Sequence, residues 1–380
     1  MTDWLDWPFF EPRHRELAER LEQWCRETIH DAEASDPDAA CRALVREMGK
    51  AGFLKLCVAD GGKAPEVRSL AIARATLARV HGLADFAFAM QGLGSGAVSL
   101  FGSEEQKAEW LPKVASGDAI AAYALTEPEA GSDAASIAMS ARRDSDSWVL
   151  NGEKSYISNG TIADVLTVFA RTGSAEDGAR GISAFIVRGD DTGLSVAERI
   201  EVIAPHPLAR LRFDGVRAEL LGIEGDGFKV AMQTLNLFRV TVGAAALGFA
   251  RRALDEALKF ATKRKLGNGT LADNAVTQEK LAEMALAIDA SALLIARAAW
   301  QQDRGKADNR RAAAMAKLHA TDEAQKVIDM AVQMHGGLGV TKGAKVEELY
   351  RETRSLRIYE GASEVQKMII ARDLLKEHGA

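Results

Sequence analysis

Apolar residues recur every three to four positions along most of the chain and bunch into short runs only in its middle third. Over residues 13–29, Leu17, Leu21, Trp24 and Ile29 share one helical face. Residues 41–48 and 70–80 keep the same spacing, so the first 118 residues or so are expected to be mostly helical. Between about residues 119 and 227 the pattern changes. Trp148-Val149-Leu150, then Asn151-Gly152, then Tyr156-Ile157 predicts a hairpin whose Asn-Gly takes the positive φ values of a tight primed turn. Apolar runs at 165–170 and 182–187, separated by Gly, Asp and Ser clusters, predict further strands. Residues 228–265 contain no proline, and Val230, Leu235, Phe238, Val242, Ala246, Leu254 and Leu258 keep a period near 3.6. That predicts one helix of about 57 Å at 1.5 Å per residue. Two more long helices are expected over 277–306 and 310–335, the second ended by Gly336-Gly337. Ser363 with Gln366 three residues on predicts a capping box at the start of a last helix. The layout is helical (1–118), β (119–227), helical (228–380), with no repeat, low-complexity segment or long linker.

Composition narrows the function. A chain of 380 residues accommodates two or three domains and a large core. Its 48 Lys+Arg against 54 Asp+Glu leave a net charge of −6, a field that repels a phosphate backbone, so nucleic acid is not an expected partner. Three cysteines, Cys25, Cys41 and Cys57, fit neither a disulfide framework nor a zinc ribbon. The first residues carry Asp3, Asp6 and Glu11 in place of a basic segment and an apolar run, and residues 240–250, the most apolar stretch, are too few to span a bilayer. A soluble, cytoplasmic protein is expected. No P-loop, dinucleotide fingerprint, HExxH or GxSxG is present, and no metal site is expected.

Three blocks carry chemistry instead: Tyr123-Ala-Leu-Thr-Glu-Pro-Glu-Ala-Gly-Ser-Asp133, Leu150-Asn-Gly-Glu-Lys-Ser-Tyr-Ile-Ser-Asn-Gly160, and Gln333-Met-His-Gly-Gly-Leu-Gly339 followed by Ile358-Tyr-Glu-Gly-Ala-Ser-Glu364. In the first, Ala130, Gly131 and Ser132 allow close backbone approach while Thr126 and Ser132 offer hydroxyls; the plain alternative is a glycine-rich turn. In the second, Tyr156 offers an aromatic face and Ser158 a hydroxyl, or Tyr156 simply packs a β core. In the third, Glu360 before Gly361 and Ser363 reads on its own as a solvated turn residue.

Together the blocks resemble the acyl-CoA dehydrogenase family, over nearly the whole chain and in the family's order. The resemblance implies an α+β multidomain fold: an N-terminal helical domain, a middle β-barrel-like domain and a C-terminal four-helix-bundle domain. It implies FAD-dependent conversion of an acyl-CoA thioester to a trans-2-enoyl-CoA, Glu360 removing the α-proton while a hydride leaves the β-carbon for flavin N5. Electrons then pass to electron-transfer flavoprotein. For this the site should raise the Glu360 pKa by desolvation and polarise the thioester carbonyl. By the same resemblance Tyr123, Leu125, Thr126, Gly131 and Ser132 line the FAD site, Ser132 also near the pantetheine, and Tyr156-Ile157-Ser158 stands where relatives have Trp-Ile-Thr beside the flavin ring. Arg239 and Gly361 fall on the substrate side. Arg264, Gln333, Gly336 and Gly337 match segments that meet the partner subunit's FAD, and Ala362 and Glu364 are further family-matched cofactor positions. A homotetramer built as a dimer of dimers follows.

The chain departs from the family at several points. Relatives carry Arg-x-x-Phe-Gly and a glutamine eleven residues after the arginine; this chain has Arg264-Lys265-Leu266-Gly267-Asn268 and then Ala275. Some relatives place the base on the long helix, where Phe238 stands here. His206 and His335 carry no expected role. Two other activities stay open: a flavin oxidase or monooxygenase on the same fold, and a flavin-poor, non-catalytic binder of CoA esters.

Overall fold

A computed structural model describes residues 3–29, 35–145, 147–305 and 308–379. Five helices come first: α1 (Pro12–Thr28), α2 (Pro37–Lys50), α3 (Val67–Val80), α4 (Gly82–Phe101) and α5 (Glu104–Ser116). Their ends are set locally. Asp36 accepts the Asp38 and Ala39 amides at the start of α2, and Ser103 with Gln106 forms a capping box on α5, which stops at a left-handed Gly117.

Seven strands follow: β1 (Ala121–Ala124), β2 (Ser140–Asp144), β3 (Ser147–Ser158), β4 (Val165–Arg171), β5 (Ile182–Arg188), β6 (Leu194–Arg199) and β7 (Leu208–Leu221). Pairings β2–β3, β3–β7, β7–β5, β5–β4 and β4–β2 close a ring, with β1 beside β4 and β6 beside β7. Residues 165–170 of β4 are buried throughout because its two faces enter different cores. Val165 and Phe169 pack with Ala97 and Val98 of α4 and Trp110, Leu111 and Val114 of α5. Leu166, Val168 and Ala170 pack with Phe185, Leu211 and Phe213 inside the ring. The continuous apolar run in the sequence is the signature of that two-sided burial.

The expected Asn-Gly hairpin turn is not formed. Asn151 and Gly152 lie within the 12-residue β3. Asn151 Oδ1 accepts the amide of Gly215 (2.9 Å), the residue β7 carries in excess where the register shifts between Leu150 and Asn151. The turn comes earlier, between β2 and β3, where Ser145 takes φ 56°. Asn-Gly was serving a bulge between long strands, which the local dipeptide does not distinguish from a turn.

The last third comprises α6 (Gly227–Ala261), a two-stranded hairpin of β8 (Lys265–Leu266) and β9 (Gly269–Thr270), α7 (Ala275–Asp303), α8 (Arg310–His335), α9 (Lys345–Leu356) and α10 (Ser363–Glu377). The long helix ends at Ala261, short of Lys265, because the chain reverses through Gly267 (φ 58°) into β9. The α7 helix closes at Asp303; Lys306, where it was expected to end, lies outside the described residues. By length and composition α6 suffices to cross a bilayer, contrary to the expectation from residues 240–250, but 78% of its most apolar window is buried in the protein. The cysteines are free and buried, and burial pushes the Cys25 and Cys41 thiols up to about 12.

Contacts group the chain into two units. One contains Met1–Glu33, Glu66–Asp85 and Arg239–Ala380 and is mostly helical; the other contains Ala34–Pro65 and Phe86–Phe238 and holds the barrel. In the helical unit, Asp303 at the end of α7 accepts the amides of Val67 (2.7 Å) and Arg68 (3.1 Å), satisfying open donors at the N-terminus of α3.

Candidate active site

Glu360 sits in the turn between α9 and α10 with φ 51°, a left-handed conformation costly to a residue with a Cβ. The turn is held from both sides. Lys317 Nζ of α8 and Gln366 Nε2 of α10 both donate to the Gly361 carbonyl, each at 2.8 Å. Arg357 Nε (2.7 Å) and Ser363 Oγ (3.0 Å) both donate to Asp322 Oδ1 of α8, and the Ser363 amide donates to the Arg357 carbonyl (3.1 Å). The predicted capping box of Ser363 and Gln366 is therefore absent. Ala362 occupies the N-cap, and both polar side chains are drawn away to fasten the turn.

The charges around this turn are unusual. Glu360 Oε2 is enclosed and has no hydrogen-bond partner among the described residues. Burial pushes the Glu360 pKa up, opposed by the positive charges of Arg74, Lys317 and Arg239 and assisted by Asp85. Arg74 and Asp85 form a buried bidentate pair (2.9 and 2.7 Å), with Arg74 also donating to Thr241 Oγ1 (3.2 Å). Burial depresses the Arg239 guanidinium, and Glu360 partly offsets that. Lys317 is 0% exposed, and burial pushes its ammonium down to about 8 against the pull of Glu360. A carboxylate with one enclosed oxygen left without a donor and an elevated proton affinity is suited to accept a proton from carbon.

In the barrel unit the first block leaves β1 as a loop. The Glu127 amide donates to the Ala130 carbonyl (2.9 Å) and the Ala130 amide returns to the Glu127 carbonyl (3.2 Å), making a tight turn. The Glu127 carboxylate accepts the Ala138 amide (2.7 Å), the Met139 amide (3.1 Å) and Lys154 Nζ (2.8 Å), and Lys154 also donates to the Leu125 carbonyl (2.9 Å). This buried pair ties the first block to the second, and the Ser155 amide adds a bond to the Thr126 carbonyl (2.9 Å). Sequence reading passed over Glu127 and Lys154. Both lie among other charged residues, Glu129 and Asp133 near the first and Glu153 beside the second, so nothing local marks them as the buried ones.

Between Lys154 and Ile157, β3 carries one residue more than β7, and Tyr156 takes φ 56° there. The bulge turns the Tyr156 ring outward, 63% exposed, while Ile157 is 1% exposed in the barrel core. Tyr156 does not pack that core, and Ile157 has only its backbone to offer a ligand. The hydroxyls of Thr126, Ser132 and Ser158 have no partner among the described residues. Leu125 is half-buried, Gly131 and Ser132 are exposed, and the Tyr123 hydroxyl donates to the Ala231 carbonyl (3.2 Å).

The remaining predicted positions lie in the helical unit. The Phe260 and His335 rings stack at 4.3 Å, drawing the ends of α6 and α8 together, and Arg264, Gln333, Gly336 and Gly337 are all exposed there. Glu364 is exposed in the first turn of α10. Phe238, at the alternative base position, is buried in the barrel unit, its ring lying over Gly92 and Gly96 of α4. His206 packs against Phe86 at 4.4 Å.

Residues 11–118, 122–216 and 225–375 match the N-terminal, middle and C-terminal domains of acyl-CoA dehydrogenase. The chain belongs to the acyl-CoA dehydrogenase family. It is 36% identical to the 3-(aryl)acrylate reductase of Clostridium sporogenes (strain ATCC 15579), covering 97% of this chain and 100% of that one. It is 39% identical to the human mitochondrial short-chain specific acyl-CoA dehydrogenase, covering 88% and 83%. The butyryl-CoA dehydrogenase of Megasphaera elsdenii superposes with a TM-score of 0.88 at 29% identity, covering 96% and 99%. This acyl-CoA dehydrogenase is accordingly an oxidoreductase acting on CH–CH groups. Gly267 holds the positive φ of the β8–β9 turn, where phenylalanine would be strained, and Ala275 is the exposed first residue of α7 behind its Asn274 cap.

Proposed function

We propose that this acyl-CoA dehydrogenase oxidises an acyl-CoA thioester to a trans-2-enoyl-CoA with FAD as cofactor, Glu360 taking the α-proton, and that electron-transfer flavoprotein receives the electrons. The observation that carries the reading is the enclosed, unpartnered Glu360 carboxylate oxygen beneath three cations and one anion. The cations keep a buried carboxyl ionised often enough to act, while burial keeps it basic enough to act on carbon. Arg239 and Gly361 stand on the substrate side of the same turn.

The barrel unit fits a flavin on its own terms. An exposed aromatic ring at Tyr156 and unpartnered hydroxyls at Thr126, Ser132 and Ser158 suit a planar heteroaromatic with a polar edge. Bound FAD supplies the two-electron acceptor for the β-hydride. Tyr156 would cover its ring face, Ser158 and Thr126 would offer hydroxyls to its polar edge, and Tyr123, Leu125, Gly131 and the Ile157 backbone would complete the wall, with Ser132 also toward the pantetheine. The exposed set of Arg264, Gln333, Gly336 and Gly337, with Ala362 and Glu364, would serve the FAD of a partner subunit.

The test is the visible flavin spectrum of FAD-loaded protein under anaerobic conditions, before and after short, branched, medium and aromatic acyl-CoA thioesters. Bleaching by one class supports dehydrogenation and names the substrate. Retained flavin that no acyl-CoA bleaches contradicts it.

A further inference from the structure

Lys317 is a cation without the usual reason to be buried. It lies on α8, is 0% exposed, and its ammonium donates to a main-chain carbonyl, that of Gly361, at 2.8 Å. A buried ammonium costs several kcal/mol unless its surroundings repay it. Apolar packing alone would be served better by Leu or Met. The opposing charges are Glu360 and Asp322, and Arg239 and Arg357 act against it. The position of that carbonyl is informative. It belongs to the residue after Glu360, whose φ of 51° must be imposed from outside. Gln366 grips the same oxygen from α10, so Lys317 is the half of the clamp that also carries charge.

We propose that Lys317 is a positioning residue for the base: it fixes the left-handed Glu360 turn through the Gly361 carbonyl and holds the carboxyl ionised with its positive charge. The proposal rests on Glu360 being the base. The groups facing Glu360 are Arg74 from α3, Asp85 from α4, Arg239 from α6, Lys317 from α8 and the adjoining Tyr359. Lys317 also bonds the backbone of the turn, at the Gly361 carbonyl. Burial has pushed it down to about 8, so it loses charge within the accessible pH range.

The sign follows. The ionised base is the active form, so the rate of flavin bleaching rises with pH through the Glu360 pKa. Removing a neighbouring positive charge raises that pKa and moves the rising limb to higher pH, by about one pH unit for one charge at close range. The experiment compares wild type, K317Q, K317R and E360Q, loaded with FAD and mixed anaerobically with the best acyl-CoA. K317Q keeps a donor for the carbonyl but lacks the charge. Expected are retained flavin, a limb shifted to higher pH, and a rate about tenfold lower at neutral pH that recovers as the pH is raised. K317R keeps the charge and restores the limb toward wild type, with its rate lowered only by imperfect placement. A K317Q profile with the wild-type midpoint, at any overall rate, overturns the proposal by reducing Lys317 to packing. Should K317Q fail to fold, K317R decides: its charge persists above pH 8, so a limb at or below the wild-type position supports the proposal and one shifted upward overturns it. If E360Q still bleaches, the base assignment has failed instead, whatever Lys317 does.

Discussion

At the scale of single residues, two of the candidate site's side chains sit in conformations their Cβ atoms resist, Glu360 (φ 51°) and Tyr156 (φ 56°). Each costs of order 1–3 kcal/mol, and each is over-determined by its surroundings. Glu360 is fixed by the bonds on Gly361 and Asp322, Tyr156 by the extra residue in β3. Gly361 completes the first. It has φ 91°, and a Cβ there would lie 2.5 Å from Gln366 Nε2, so the side chain that grips its carbonyl would have to move. We expect Gly361→Ala to cost about 1–2 kcal/mol, read as a lower melting temperature. Flavin bleaching should slow at least tenfold, with FAD retained. An unchanged rate at matched stability would show that the turn does not set the base.

At the scale of elements, the helices were legible because burial on one face leaves a 3.6-residue period; residues 310–335 were read with the boundaries of α8. The misread elements were those whose local signal serves two structures. Asn151-Gly152 marks a turn or a bulge, and only the pairing of β3 with β7 decides. Ser363 and Gln366 have capping spacing, yet the half-buried Asp322 carboxylate and the Gly361 carbonyl compete for them. Glu360 was legible as a motif residue, but its neighbours were not. Arg74 and Asp85 come from two successive helices and Lys317 from a third, all more than 40 residues from Glu360, and no local pattern marks a charge as buried. The same holds for Glu127 and Lys154, which fasten the two cofactor blocks together.

At the scale of the whole molecule, the helical unit leaves apolar side chains in water beside the proposed partner-facing residues: Leu266 (49% exposed), Leu338 (52%) and Val340 (72%), with Val276 and Leu286 on α7. Patches of this kind mark an interface. The resemblance assigns the interface to a dimer of dimers, so sedimentation of the FAD-loaded protein should give about four times the chain mass, and a monomer would contradict that assignment.

The central claim is that Glu360 is the base, and Glu360→Gln tests it with little change of volume. The measurement is the anaerobic bleaching of bound FAD by the preferred acyl-CoA, wild type against variant. The account predicts flavin retained in both and bleaching slowed by about 10²–10⁴-fold or more in the variant. Bleaching of the variant at the wild-type rate would contradict it and place the base elsewhere.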